Sequence, residues 1–166
     1  MNERWSQTGA EDWQERQPWL VGCNFIPSTA INQLEMWQPD TFDATTIDRE
    51  LALAASIGFN TVRVFLHDLL WDAGADGFAA RIDAYLGIAS ARAIRTMFVL
   101  FDDCWHPGAK LGPQPAPVPG RHNSGWLQGP GHAVIAEGNA LPRLEAYVKG
   151  VVGRFGGDER VLMWDI

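Results

Sequence analysis

The chain has 166 residues, 46% apolar and 20% charged, with a formal net charge of −7 and a pI near 4.9. That suffices to bury one core and carries no signature of disorder. The acidic balance, with no basic stripe to neutralise phosphates, argues against nucleic acid or an anionic membrane as partner. No run of about 18 apolar residues offers a membrane span.

Residues 1–6 lack the apolar core of a signal peptide, so the expected location is cytoplasmic, or exported with the signal already removed. Residues 10–17 have the pattern of a short helix stopped by Pro18, and residues 1–18 are expected to form a helical extension. The remainder, residues 19–166, reads as one domain. Its first strand is expected at residues 19–25, with Gly22 and Asn24 on one face. A loop of about twenty residues follows, long for a strand-to-helix connection. It carries Ser28, Asn32, Gln33, Glu35 and Trp37. Thr45 or Thr46 is placed to cap the next helix, whose apolar stripe runs through Ile47, Leu51, Ala54, Ala55 and Ile57.

Gly58 closes that helix, and Asn60-Thr61-Val62-Arg63-Val64-Phe65-Leu66 reads as the second strand. Alternation puts Val62, Val64 and Leu66 on one face and Thr61, Arg63, Phe65 and His67 on the other. Helical patterns on both sides of the strand favour a parallel sheet buried on both faces. Arg63 then points into a closed interior, where a guanidinium is costly unless it meets carboxylates. The strand therefore looks built to carry a charged site.

A helix is expected over residues 76–92 and a third strand over residues 96–101. The longest irregular stretch, to about residue 140, is rich in Gly and Pro and holds Asp102, Asp103, Trp105, His106, His122, Asn123 and Trp126. A loop this long in a compact domain is usually functional. Pro142 opens a further helix, and a fourth strand spans residues 160–166.

The resulting βαβαβαβ order, with long loops leaving the first and third strands and short links entering the others, points to ligand binding at the carboxyl ends of parallel strands. No Gly-x-Gly-x-x-Gly or Walker pattern follows a strand, so a dinucleotide or P-loop site has no support. The expected fold is α/β: the N-terminal half of a (β/α)8 barrel, about four parallel strands with flanking helices. Such a half leaves sheet edges open, which predicts marginal stability and self-association.

Eight tryptophans are many for this length, and those beside Gly, Pro, His or Asp suit the C–H faces of sugars. Cys23 and Cys104 form neither a metal spacing nor a disulfide framework and are expected to be small buried residues. No cofactor or metal is expected.

The run from Trp19 to Asn24, the loop Pro27-Ser28-Thr29-Ala30-Ile31-Asn32-Gln33-Leu34-Glu35-Met36-Trp37, Asn60-Thr61-Val62-Arg63, and Val161-Leu162-Met163-Trp164-Asp165 together resemble the N-terminal half of clan A glycoside hydrolases. Within that clan they look most like the family 5, cellulase-like group, including proteins labelled β-1,4-xylanases. The resemblance implies a retaining O-glycosyl hydrolase acting on a β-linked poly- or oligosaccharide. Its two catalytic glutamates would fall beyond Ile166, so the 166 residues alone are expected to be inactive. Arg63 matches the arginine that holds the nucleophilic carboxylate ionised. Asn24, Trp37, His67, Asp102, Trp105 and Trp126 are the candidate sugar-contacting residues. Two other classes compete. One is a metal-dependent barrel hydrolase or isomerase using His67, Asp102, Asp103, His106 and His122, although no His-x-His or His-Glu-x-x-His spacing supports it. The other is a non-catalytic carbohydrate-binding module. Glu35 has no partner carboxylate placed for it and is not expected to act as an acid catalyst.

Overall fold

A computed structural model describes residues 4–166, so expectations about residues 1–3 lie outside the described residues. Helix α1 (Gln7–Glu15) precedes strand β1 (Gly22–Asn24), and a short α2 (Gln33–Trp37) interrupts the first long loop. Then come α3 (Ala44–Ser56), β2 (Thr61–Phe65), α4 (Asp68–Ala91) and β3 (Arg95–Val99). The second long loop contains α5 (His132–Ala136), before α6 (Leu141–Phe155) and β4 (Val161–Asp165). The four strands form one sheet in the order β1-β2-β3-β4, every pair parallel. The fold is thus α/β, a four-stranded parallel sheet flanked by helices.

Period-2 alternation sorts the strands. Val62, Val64 and Phe98 turn to the helices, where they meet Ile47 and Leu51 of α3, Phe78 and Ile82 of α4, and Tyr147 and Val151 of α6. Helices α4 and α6 approach closely because Gly150 has no side chain: a Cβ there would lie 2.0 Å from Cζ2 of Trp71. Gly58 ends α3 at φ +94°, the left-handed conformation expected of it.

Several expected boundaries move, each for a local reason. Asp43 caps α3, its side chain accepting from the Thr46 N–H at 3.0 Å, so Thr45 and Thr46 lie inside the helix. Helix α4 begins eight residues earlier than its pattern suggested, because His67 caps it and non-helical backbone at Gly74 breaks the apolar period between its two pieces. Strand β1 is shorter than expected, with Trp19, Leu20 and Val21 outside it. Cys23 and Cys104 are both exposed, against the expectation of burial.

One irregularity matters for the site. Along β3 and β4 the register passes from Thr96 opposite Val161 to Met97 opposite Met163, so Leu162 is one residue extra. Val161 packs with the helices, while Met163 and Asp165 align with Met97 and Val99 on the opposite face, the face of Arg63.

Candidate active site at the carboxyl ends of the strands

Arg63 lies in the middle of β2, opposite Asn24 on β1 and Met97 on β3. Its partner stands on β4: Nε donates to Asp165 Oδ2 at 2.7 Å and Nη2 lies 2.6 Å from the same oxygen. Neighbouring strands are about 4.8 Å apart, so the side chain reaches across β3 to an anion roughly two strand spacings away. That span suits the long guanidinium stem, with the head group 4.6 Å over the Phe65 ring. Nη1 makes a longer contact, 3.5 Å, with Asn24 Oδ1. The interior is less closed than alternation suggested, since the Arg63 and Asp165 side chains are 34% and 36% exposed. Water screens such a pair, which is worth about 1 kcal/mol or less. Its role is geometric: it holds a cation at a fixed place above the sheet.

Above this pair the second long loop folds back into a wall. Asp102 and Gly129 exchange backbone hydrogen bonds at 2.9 and 2.8 Å, and the His106 N–H donates to the Trp126 carbonyl at 3.1 Å. Trp126 stands edge-on to Phe65 with ring centroids 4.9 Å apart, and together with Val99 they form a small second core. Trp105 meets Trp126 at 5.7 Å and His122 at 6.0 Å. The Trp105 indole N–H donates to Asp102 Oδ2 at 2.7 Å, which fixes the ring's direction. Trp105 remains half-buried and His122 exposed, so this end of the wall presents aromatic surface.

The wall is pinned from outside. The Asn32 side-chain amide donates to the Gly125 carbonyl and to Gln114 Oε1, both at 2.9 Å, and Gln33 Nε2 donates to the Leu127 carbonyl at 2.6 Å. Asn32 also caps α2 by accepting from the Leu34 and Glu35 N–H groups, each at 3.1 Å. Glu35 returns the favour, its carboxylate accepting from the Ile31 N–H at 2.6 Å in a variant of the capping box. Glu35 therefore has a structural task.

Two candidate sugar contacts are instead parts of the interior. Trp37 is fully buried and donates its indole N–H to the Phe65 carbonyl at 2.9 Å. His67 is fully buried beyond the end of β2, with Nε2 2.9 Å from the Gln128 carbonyl. Its Nδ1 has two claims on it, the Leu69 N–H at 3.2 Å and Asp68 Oδ1 at 3.1 Å. The neutral Nε2–H tautomer satisfies the first; the imidazolium satisfies the second, an oxygen with no other partner among the described residues. Arg143 of α6 lies 2.6 Å from Asp68 Oδ2 and 2.5 Å from Asp72 Oδ2. Burial opposes ionisation of Asp68, but contacts with His67 and Arg143 outweigh it and hold the carboxyl below its usual range. Trp126 is also largely buried, leaving Asn24, Asp102 and Trp105 as the expected contacts with accessible surface.

The residues a metal centre would need are not gathered: among the described residues no three His, Cys, Asp or Glu side chains cluster to hold an ion. His132 pairs with Asp103 at 2.6 Å, well exposed on both sides. Sequence reasoning missed Asp165 as the partner of Arg63, and Asn32 and Gln33 as anchors. An acidic residue at the carboxyl end of a strand was the available signal for the first. No family model, curated protein or solved structure matches this chain.

Proposed function

We propose that these residues are the first four strands of a (β/α)8 barrel belonging to a retaining glycoside hydrolase that acts on a β-linked poly- or oligosaccharide. One observation carries the reading. Arg63 is held by Asp165 at the carboxyl end of a parallel sheet, beneath a wall ending in Trp105 and His122. In this reading Arg63 keeps a nucleophilic carboxylate ionised, because a fixed adjacent cation favours the charged form. The exposed part of Trp105 supplies a stacking face for a sugar ring, and Asn24 and Asp102 supply polar contacts. The two glutamates, set about 5 Å apart as retention requires, come from residues outside the 166. No cofactor takes part.

Titration of the chain with cello- and xylo-oligosaccharides, followed by tryptophan emission, tests the sugar site. Saturable binding that weakens at least about tenfold in Trp105→Ala is expected, a change of about 1.4 kcal/mol. Reading the coding sequence past Ile166 tests the chemistry. An Asn-Glu pair is expected directly after the fourth strand, and its absence from an open reading frame would end the hydrolase reading.

A further inference from the structure

A cavity of about 630 Å³ lies apart from the Arg63 site, between the turn after α2, the bent first part of α4 and residues 111–113 of the second long loop. Its size is that of small-molecule sites, which run from about 300 to 1,000 Å³. The space exists because α4 presents Ala73, Gly74 and Gly77 to it; a Cβ at Gly74 would meet nothing within 4 Å. The rim is already set. Gln38 clasps Gly112 through both of its amide atoms, accepting from the N–H at 2.6 Å and donating to the carbonyl at 3.2 Å. Pro39, Leu70, Leu111 and Pro113 make the walls apolar.

Among the described residues Arg81 is the one cation lining this space. Its Nε is committed to the Trp37 carbonyl at 2.5 Å, which fixes the plane of the guanidinium. Among the described residues its two terminal nitrogens have no hydrogen-bond acceptor or carboxylate partner, and burial pulls its pKa down from the ordinary arginine value. A partly desolvated cation without an anion is an unfavourable arrangement that a ligand carboxylate would relieve in bidentate form. Glu35 and Asp40 also line the cavity. Their charges, like the net charge of −7, weigh against any anion and about twice as heavily against a dianion, so a ligand with a single negative charge directly on Arg81 is the one favoured.

We infer that this cavity binds a small monocarboxylate with an apolar body, its carboxylate on the free edge of Arg81 and its body against Leu70, Ala73 and Leu111. The site is independent of the glycosidase reading and stands or falls separately. Titration of the chain with 4-phenylbutyrate, its neutral amide and inorganic phosphate, followed by ligand-observed NMR, tests it. Phenylbutyrate is expected to bind with a dissociation constant of about 1 mM or below, the amide and phosphate at least about tenfold more weakly. Arg81→Gln should lose the preference of acid over amide. Ala73→Phe, which fills the space while leaving Arg81 in the sequence, should abolish binding of both and keeps the test open if Arg81→Gln folds poorly. No phenylbutyrate binding at about 10 mM, equal binding of the amide, stronger binding of phosphate, or full binding by Ala73→Phe would each overturn the assignment.

Discussion

Replacing Asn32 puts the pinning of the wall to a direct test. This side chain is fully buried and does two jobs with opposite ends. Its oxygen accepts two N–H groups at the start of α2, and its nitrogen donates to Gly125 and Gln114. A cap is worth about 1 kcal/mol and each internal hydrogen bond about 1 kcal/mol, so Asn32→Ala should destabilise by roughly 3 kcal/mol. At roughly 2–4 °C per kcal/mol for a domain of this size, the melting temperature falls by about 6–12 °C. Asn32→Asp separates the jobs. The cap survives, but a carboxylate now faces two acceptor oxygens with no water to screen them. The introduced group is raised above its unfolded value, so its destabilisation is largest at neutral pH and relaxes as pH falls through the folded value, where the protonated form can donate one bond. Urea unfolding at pH 7 and near pH 5, read by tryptophan emission, measures both effects. An Asn32→Asp protein as stable as the parent at pH 7, or equally destabilised at both pH values, would refute the claim that the amide nitrogen holds the loop.

Asp68 titrates below its unfolded value, so its contribution to stability is present above the ordinary carboxylate pKa and disappears as pH falls through the folded value; a stability–pH curve should show this loss, and Arg143→Met should diminish it. The same substitution leaves buried Asp68 with His67 as its remaining partner and should destabilise by about 2–3 kcal/mol, less than for a fully buried pair because Arg143 is partly exposed. Gly150→Ala should destabilise by about 1–3 kcal/mol through collision with Trp71, measurable by thermal melting, and Trp71→Leu should restore part of it. On the proposed glycosidase reading, Arg63→Ala in a protein that includes both glutamates should lower kcat by at least about a hundredfold while unfolding energy changes by about 1 kcal/mol or less, since the ion pair is screened. Sedimentation of the 166-residue chain should show self-association through the free edges of β1 and β4, and a clean monomer at high concentration would contradict it.

The arrangement of strands was readable because alternation along β2 and the periodic faces of α3 and α6 agree with one another, and parallel pairing follows from helices standing between strands. The start of α4 was not, since Asp68-Leu69-Leu70-Trp71 is apolar without a clear period and Gly74 breaks the continuation. Arg63 was legible as a charge on an inward parity. Trp37 and His67 were misplaced because a tryptophan or histidine near a strand end looks alike whether it faces a ligand or satisfies a buried carbonyl. Only the positions of the Phe65 and Gln128 carbonyls decide between those cases. Asn32 and Gln33 were invisible as anchors for a related reason: their partners lie more than eighty residues away in sequence.

The extra residue at Leu162 has a consequence for how relatives of this chain would be compared. In an unbulged ladder of the same length Val161 and Asp165 share a parity, so absorbing Leu162 into regular pairing would swing the carboxylate under the helices and strand the arginine without changing any charged residue, whereas deleting Leu162 would leave Asp165 opposite Val99. Two homologues with identical acids and bases could therefore differ in whether this anion meets its cation: one that lacks a residue here keeps the pair in a regular strand, while one of equal length keeps it only with the bulge.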